Sequence, residues 1–318
     1  MRCGIVILPQ YAWPDAARLW RGAEELGFDH AWTYDHLSWR SLASEPWQAT
    51  VPTLTAAAMV TERIRLGSFV ASPNFRHPVP FAKDVATVDQ ISAGRFTLGL
   101  GAGGTGFDAF VLGQEPLAPR ERFERFAAFT EALDILLRFE PPQAGPDAEG
   151  GPAGLSFAGE WYTARGARMV GRPEQRPRLP FLMAANGPRS MRLAAAYGQG
   201  WVTTGPDGVT GDDWWATVAD LAARMDESCS NAGRDPATLD RSLSIDSGGR
   251  YALESVGAFE DAVGRAAELG FTDVMTHWPR PEGIYAGSED VLAEASSRLS
   301  ALRHSAPPRP SDSGRETA

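Results

Sequence analysis

Among the five histidines of this chain, His36 stands out, because it ends the run Thr33-Tyr34-Asp35-His36 and opens a loop carrying Trp39 and Trp47. An Asp-His step leaving a strand, with aromatics behind it, can hold a proton-transfer imidazole beside a planar ligand. The plainer alternative is a histidine that only caps a strand end. A second step, Asp29-His30, lies at the entry of the same strand and is expected to serve stability. Three other strand ends could approach a ligand. Phe69-Val70-Ala71-Ser72-Pro73 combines small residues with a proline, and a flat ring could lie against its backbone. Gly99-Leu100-Gly101-Ala102-Gly103-Gly104 formally matches G-x-G-x-x-G. No helix follows it at once and no acidic residue closes a strand about 20 residues on, so a glycine-lined ligand floor fits better than a dinucleotide fold. Ala184-Ala185-Asn186-Gly187-Pro188-Arg189-Ser190 leads into a helix whose first N–H groups could anchor a phosphate, or could simply be capped. His277-Trp278, at a last strand end, either lines a substrate wall or packs the rim.

Other chemistries are argued against by what is missing. None of the histidines forms an H-x-H or H-x-x-x-H pair, and Cys3 and Cys229 are far apart, which speaks against a metal enzyme and a disulfide framework. Lys83 is the single lysine. It follows Ala82 rather than a glycine, against a Walker phosphate loop, and it falls in a helical stretch, against a Schiff-base site.

The elements that must position these residues alternate strictly. Strands are expected at 3–8, 30–34, 64–70, 95–100, 180–184, 200–203, 242–246 and 272–277. Helices are expected at 15–26, 52–60, 80–91, 120–137, 190–197, 212–231, 258–269 and 288–302, the first with Ala16, Leu19, Trp20, Ala23 and Leu26 on one face. Eight strands alternating with eight helices predict a single closed (β/α)8 TIM barrel over residues 1–304, with chemistry at the C-terminal strand ends. Residues 140–178, rich in Gly and Pro, form an insertion between the fourth helix and fifth strand, read as a lid or a dimer contact. Residues 305–318 read as a disordered tail.

The whole chain agrees with this. Its 318 residues suit one α/β barrel, and 43% hydrophobic with 22% charged residues is ordinary for a globular protein. A net charge of −10 without a basic cluster argues against nucleic acid. No apolar run approaches the roughly 20 residues of a membrane span. The opening MRCGIVILPQ reads as a strand rather than a secretory signal, so a cytoplasmic location is expected.

Taken together, several stretches resemble the bacterial luciferase-like flavin oxidoreductase superfamily, and within it the branch that uses the deazaflavin coenzyme F-420. They are Glu24-Glu25-Leu26-Gly27-Phe28-Asp29, Tyr34-Asp35-His36, Arg63-Ile64-Arg65-Leu66-Gly67, Asp89-Gln90-Ile91-Ser92-Ala93-Gly94-Arg95-Phe96 and the glycine-rich strand end. The resemblance implies that Asp35 holds the deazaflavin ring and that His36 faces its reactive carbon. It also implies a non-prolyl cis peptide at Phe69-Val70 behind the ring, Ala102 and Gly103 along the ring or its chain, and Ala184, Ala185, Asn186 and Gly187 at the phosphate. Trp39 and Trp47, with His277 and Trp278, would wall the substrate.

One departure stands out. Sugar-phosphate dehydrogenases of that branch carry a catalytic glutamate where this chain has Gly104, and no acid follows before Asp108. The implied activity is hydride transfer between F-420 and a small organic substrate, with His36 handling the proton. The alternatives are an oxygen-using monooxygenase fed reduced FMN by a partner reductase, and a cofactor-binding protein without turnover. A homodimer is the family expectation.

Overall fold

The computed structural model describes residues 1–104, 106–140 and 154–304. Eight parallel strands close into a barrel: β1 (Arg2–Val6), β2 (His30–Thr33), β3 (Arg65–Ser68), β4 (Phe96–Leu100), β7 (Phe181–Ala184), β8 (Gly200–Thr203), β9 (Asp240–Ser244) and β10 (Asp273–His277), with β10 pairing back to β1. The helices surrounding it are α1 (Trp13–Glu25), α2 (Thr50–Val60), α3 (Pro78–Ile91), α4 (Pro119–Leu137), α5 (Pro188–Tyr197), α6 (Gly211–Asn231), α7 (Val256–Glu268), α8 (Glu289–Ser296) and α9 (Leu299–His304). The (β/α)8 architecture expected from the alternation is the one observed. One element differs: the single helix expected at 288–302 is two, the first ending at Ser296 and the second starting at Leu299.

Two hydrophobic clusters hold the molecule together. The larger lies between strands and helices and includes Ile5, Ala31, Leu66, Trp201 and Val274 from the strands with Trp20, Phe126 and Phe129 from the helices. The smaller fills the barrel itself with Val6, Trp32, Tyr34, Phe69, Leu182, Val202 and Met275. This division follows from the pleat, since alternate residues of a strand face opposite sides. Each fully buried aromatic or aliphatic side chain contributes roughly 1.5–3 kcal/mol. Low in the barrel, strand glycines leave space that rings occupy: a Cβ on Gly67 would lie 2.1 Å from the Trp32 ring.

The described part of the insertion forms an antiparallel hairpin, β5 (Leu155–Ala158) and β6 (Thr163–Ala167). Tyr162 packs against His77 and Phe129. Gln175 is fastened to Asp89 at 2.6 Å and Arg178 to Asp134 at 2.6 Å. This segment braces α3 and α4 on the outside of the barrel, and residues 154–178 contribute nothing to the lining of the cavity described below. Residues 141–153 and the expected tail at 305–318 lie outside the described residues.

Candidate functional site

A cavity of about 820 Å3 opens at the C-terminal ends of the strands. Its floor is nearly bare backbone. Phe69 and Val70, joined by a cis peptide, meet Gly101, Ala102, Gly103 and Gly104 from the end of β4, and Ala184, Ala185 and Asn186 from the end of β7. The glycines are required here for two reasons. A Cβ on Gly101 would stand 2.7 Å from Val70 Cγ2, while Gly103 has φ +77° and a Cβ there would meet Asn74 Oδ1 at 2.6 Å. Beyond Asn186 the lining continues through Ser190 in the first turn of α5 and through Thr203, Thr204 and Gly208 after β8. The Asn186 side chain is already engaged, accepting from Thr203 Oγ1 at 2.7 Å and donating to the Gly205 carbonyl at 3.0 Å. Gly187 caps α5 just outside the lining.

The opposite wall is aromatic and carries the titratable groups. Tyr34 and His36 both line it, and Asp35 between them does not. The chain stays extended past β2, so 34 and 36 point inward and 35 points out. Asp35 is buried behind the wall, where Arg76 donates to both of its oxygens, one bond at 2.9 Å. The sequence-based placement of Asp35 against the ligand is therefore corrected: its carboxylate is spent on Arg76. His36 gains a different acid. Its Nδ1 is hydrogen-bonded to Asp108 Oδ2, and Asp108 Oδ1 accepts the Leu37 N–H at 2.7 Å. Asp108 is buried, whereas the His36 side chain is 30% exposed, so the dyad is anchored at one end and open at the other. With Nδ1 engaged, Nε2 is the nitrogen left for the cavity.

Trp39 lines the wall edge-on to Tyr34, and Trp47 stacks behind it at 6.5 Å without reaching the cavity. Trp278 is also corrected. It points out of the barrel towards α1, lies against Gly22 and donates to Glu289 at 3.1 Å. His277 is only 1% exposed at its side chain and sits one layer back. Its Nδ1 faces Asp246 Oδ2 at 2.7 Å, its Nε2 faces Tyr34 Oη at 2.8 Å, and its ring stacks on Tyr285 at 3.7 Å. Tyr34, Asp246, Tyr251 and Tyr285 complete the lining, with Arg40 and Arg250 at the mouth. Burial pushes the Tyr34 phenol well above its ordinary range and the Tyr285 phenol up to about 12, so both stay protonated at neutral pH.

Sequence reasoning missed Tyr34, Asp108, Asp246 and Tyr285. Asp246 and Tyr34 sit at or just beyond strand ends, and that position was the available signal. Asp108 and Tyr285 come from loops and left none. Among the described residues, no group of three or more His, Cys, Asp and Glu is arranged to hold a metal, and no helix is long and apolar enough to cross a membrane.

The fold and the strand-end cavity define an α/β-barrel protein whose cavity opens between a glycine-rich floor and an aromatic wall. The chain belongs to the luciferase-like monooxygenase family, whose pattern matches residues 1–247. It is 31% identical over 232 residues to an F-420-dependent glucose-6-phosphate dehydrogenase from Microbacterium testaceum, covering 70% of this chain and 60% of that protein. It is also 31% identical over 233 residues to the 4-hydroxyprotoasukamycin monooxygenase of Streptomyces nodosus subsp. asukaensis, covering 70% of this chain and 56% of that one. The chain thus matches less than two thirds of the length of these relatives. The coenzyme F-420-dependent tetrahydromethanopterin reductase of Methanopyrus kandleri superposes with a TM-score of 0.69 over 95% of this chain and 99% of its own, at 18% identity, a likeness of fold.

Proposed function

We propose that this protein is an oxidoreductase that moves a hydride between coenzyme F-420 and a small organic substrate. The observation that carries this reading is the His36–Asp108 dyad facing a floor of glycines and small residues across one cavity. A tricyclic deazaflavin suits that floor because Gly101, Gly103 and Gly104 put no side chain on it, and the close approach of Gly101 to Val70 and of Gly103 to Asn74 leaves no room to add one without shifting those neighbours. Ala184, Ala185 and Asn186 would hold the sugar-phosphate chain, together with the free N–H groups of the first turn of α5. When bound, the deazaflavin supplies or accepts hydride and reacts poorly with oxygen.

The protein's own part is to orient, to exclude water and to move a proton. Asp108 holds the imidazole of His36 in one orientation, so that Nε2 exchanges a proton with the substrate, and the exposed edge of the ring exchanges it with water. Trp39, Tyr251 and Tyr285, with the aliphatic Ile284, shape the substrate wall. Gly104 puts no carboxylate on the floor, which argues against a sugar phosphate as substrate even though a relative acts on one. A homodimer belongs to this reading as a family expectation, and a cytoplasmic location as an expectation from the sequence.

Similarity to a monooxygenase favours a second reading, in which reduced FMN from a partner reductase reacts with oxygen in the same cavity. Parallel titration with F-420 and FMN, each oxidised and reduced, separates the readings. Preferential F-420 binding followed by its reduction or oxidation with alcohols, enones or imines is expected. Preference for reduced FMN with substrate-dependent oxygen uptake overturns it. Tight F-420 binding without turnover of any substrate would leave a binding protein.

A further inference from the structure

Behind the aromatic wall lies a second chain of hydrogen bonds that the hydride-transfer reading does not use. Asp246 Oδ2 accepts from the His277 backbone N–H at 2.7 Å and faces His277 Nδ1 at 2.7 Å. Asp246 also accepts from Thr276 Oγ1 at 3.1 Å and from the Ala252 N–H at 2.9 Å. With every donor pointing at it, this carboxylate is fixed. Among the described residues it has no ion-pair partner other than the imidazole of His277. His277 Nε2 then meets Tyr34 Oη at 2.8 Å, and Tyr34 lines the cavity two residues before His36. Such an acid–imidazole–hydroxyl series holds one tautomer and stabilises the imidazolium that forms when the hydroxyl gives up its proton.

We propose that Tyr34, His277 and Asp246 form a second proton-transfer unit on this cavity, in which Tyr34 touches the substrate's oxygen and His277 takes or returns the Tyr34 proton. The proposal rests on the hydride-transfer reading and names its substrate class as alcohols and the matching carbonyl compounds, because a phenol hydroxyl both donates and accepts and so can meet the oxygen of either. In alcohol oxidation the C–H bond breaks and its electron pair leaves as hydride to oxidised F-420, which is reduced. The carbon–oxygen bond becomes a carbonyl. The hydroxyl proton passes to Tyr34 Oη as the Tyr34 proton passes to His277 Nε2, giving an imidazolium opposite Asp246. The proton returns through Tyr34 once product leaves, because His277 is sealed from water. Carbonyl reduction by reduced F-420 runs the same path backwards.

The raised phenol of Tyr34 suits a relay rather than a store: it cannot lose a proton to the substrate side without gaining or passing one at the same time. His36 differs, since its exposed edge exchanges with solvent. The groups facing the relay are Tyr285, stacked on His277 with its hydroxyl 3.4 Å from Tyr34, Tyr251, which donates to the His277 carbonyl at 2.7 Å, and Arg40 nearby.

The test has two arms. In the protein alone, nitrogen NMR of 15N-histidine-labelled wild type and Tyr34→Phe should find His277 with its proton on Nδ1 and an Nε2 acceptor signal that moves when the Tyr34 hydroxyl is removed. A His277 ring protonated on both nitrogens at neutral pH, or an Nε2 signal indifferent to Tyr34→Phe, overturns the relay. In the second arm, wild type, Tyr34→Phe and His277→Asn are loaded with F-420 and assayed with a panel of alcohols. The expected result is unchanged F-420 affinity, a substrate KM within about threefold, a kcat lower by about 100-fold and a diminished solvent deuterium isotope effect. Tyr34→Phe keeps the stacked ring, so it decides the matter if His277→Asn fails to fold. Unchanged kcat and isotope effect in Tyr34→Phe overturn the relay and leave the hydride-transfer reading standing. Wild type that fails to bind F-420 overturns both, whereas wild type that binds it and oxidises none of the panel overturns the relay and leaves the hydride-transfer reading to be tested on enones and imines.

Discussion

The two ends of β10 carry nearly the same hydrogen-bonding set in opposite settings. At its start, Asp273 meets His30 Nε2 at 3.1 Å, and His30 Nδ1 accepts the Trp32 indole N–H at 2.6 Å. At its end, His277 links Asp246 to Tyr34. His30 and His277 stand on the inward rows of β2 and β10, with Val6 and Met275 packed in the barrel between the two sets. What differs is how each set terminates. The lower one ends in an indole N–H, which only donates, and Arg2 closes its charge by binding Asp273 at 2.6 and 2.7 Å and Asp240 at 2.6 Å. The upper one ends in a phenol that both donates and accepts, and it opens on a cavity. An acid–imidazole pair is therefore a structural brace where arginine neutralises it and no ligand can reach it. It becomes available for chemistry where its last member is exchangeable and exposed to substrate.

The largest expected effect falls at the dyad that shares a cavity with the upper set. His36→Ala or Asp108→Ala should lower kcat/KM by about 100- to 10,000-fold, the usual contribution of a positioned acid or base, while the melting temperature stays within a few degrees; calorimetry beside steady-state assays checks this. The Asp108 substitution should be partly rescued in Asp108→Asn, because an amide oxygen can still accept from the Leu37 N–H.

The lower end should behave in the opposite way. Asp273→Ala strands His30 and half of the Arg2 pairing, and is expected to cost about 3 kcal/mol, typical of breaking a buried pair and discounted for the partial exposure of Arg2. F-420 affinity should hardly change. Urea unfolding and F-420 titration of the same variant test both halves. Burial alone would raise the Asp273 carboxyl, but hydrogen bonds from His30 and Arg2 hold it below the usual carboxylate range. Its contribution is thus present above the unfolded-state value of about 4 and is lost as pH falls towards the lower folded-state value. Asp273→Asn should flatten the loss of stability in acid, and an unchanged slope would assign that loss elsewhere.

The smallest effect sharpens the comparison at the cavity floor. Gly103→Ala puts a methyl at φ +77° against Asn74 and should weaken F-420 binding by about tenfold, equivalent to ~1.4 kcal/mol. Equal binding in this variant would move the coenzyme off the glycine floor.

Much of this was legible in the residues, and the failures are instructive. The strand–helix alternation led to the barrel because each βα unit carries its own period-two and three-to-four-residue patterns. Phe69, Val70, Ala102, Gly103, Ala184, Ala185 and Asn186 line the cavity because strand ends point there whatever the rest of the chain does. Asp35 and Trp278 were placed on the wrong side although the pleat already separates them from Tyr34, His36 and His277. Strict alternation along Tyr34-Asp35-His36 puts Tyr34 and His36 on the cavity and Asp35 behind it. Trp47, His277 and Gly187 fall one layer behind the surface expected of them, since depth depends on neighbours from other strands.

By itself, then, the sequence determined the repeating units, the bare strand ends and the imidazole that leaves β2, all of which depend on residues close together in the chain. Only the tertiary structure decided which acid serves which imidazole. His36 finds Asp108 72 positions away, His277 finds Asp246 31 away, and Tyr34 finds His277 243 away. Those distances are closed by the pairing register around the barrel, in which β10 returns to β1 and brings the last strand's histidine beside the second strand's tyrosine. Hydrogen bonds act only over about 3 Å, so no local pattern can announce a partnership that exists solely because the barrel closes.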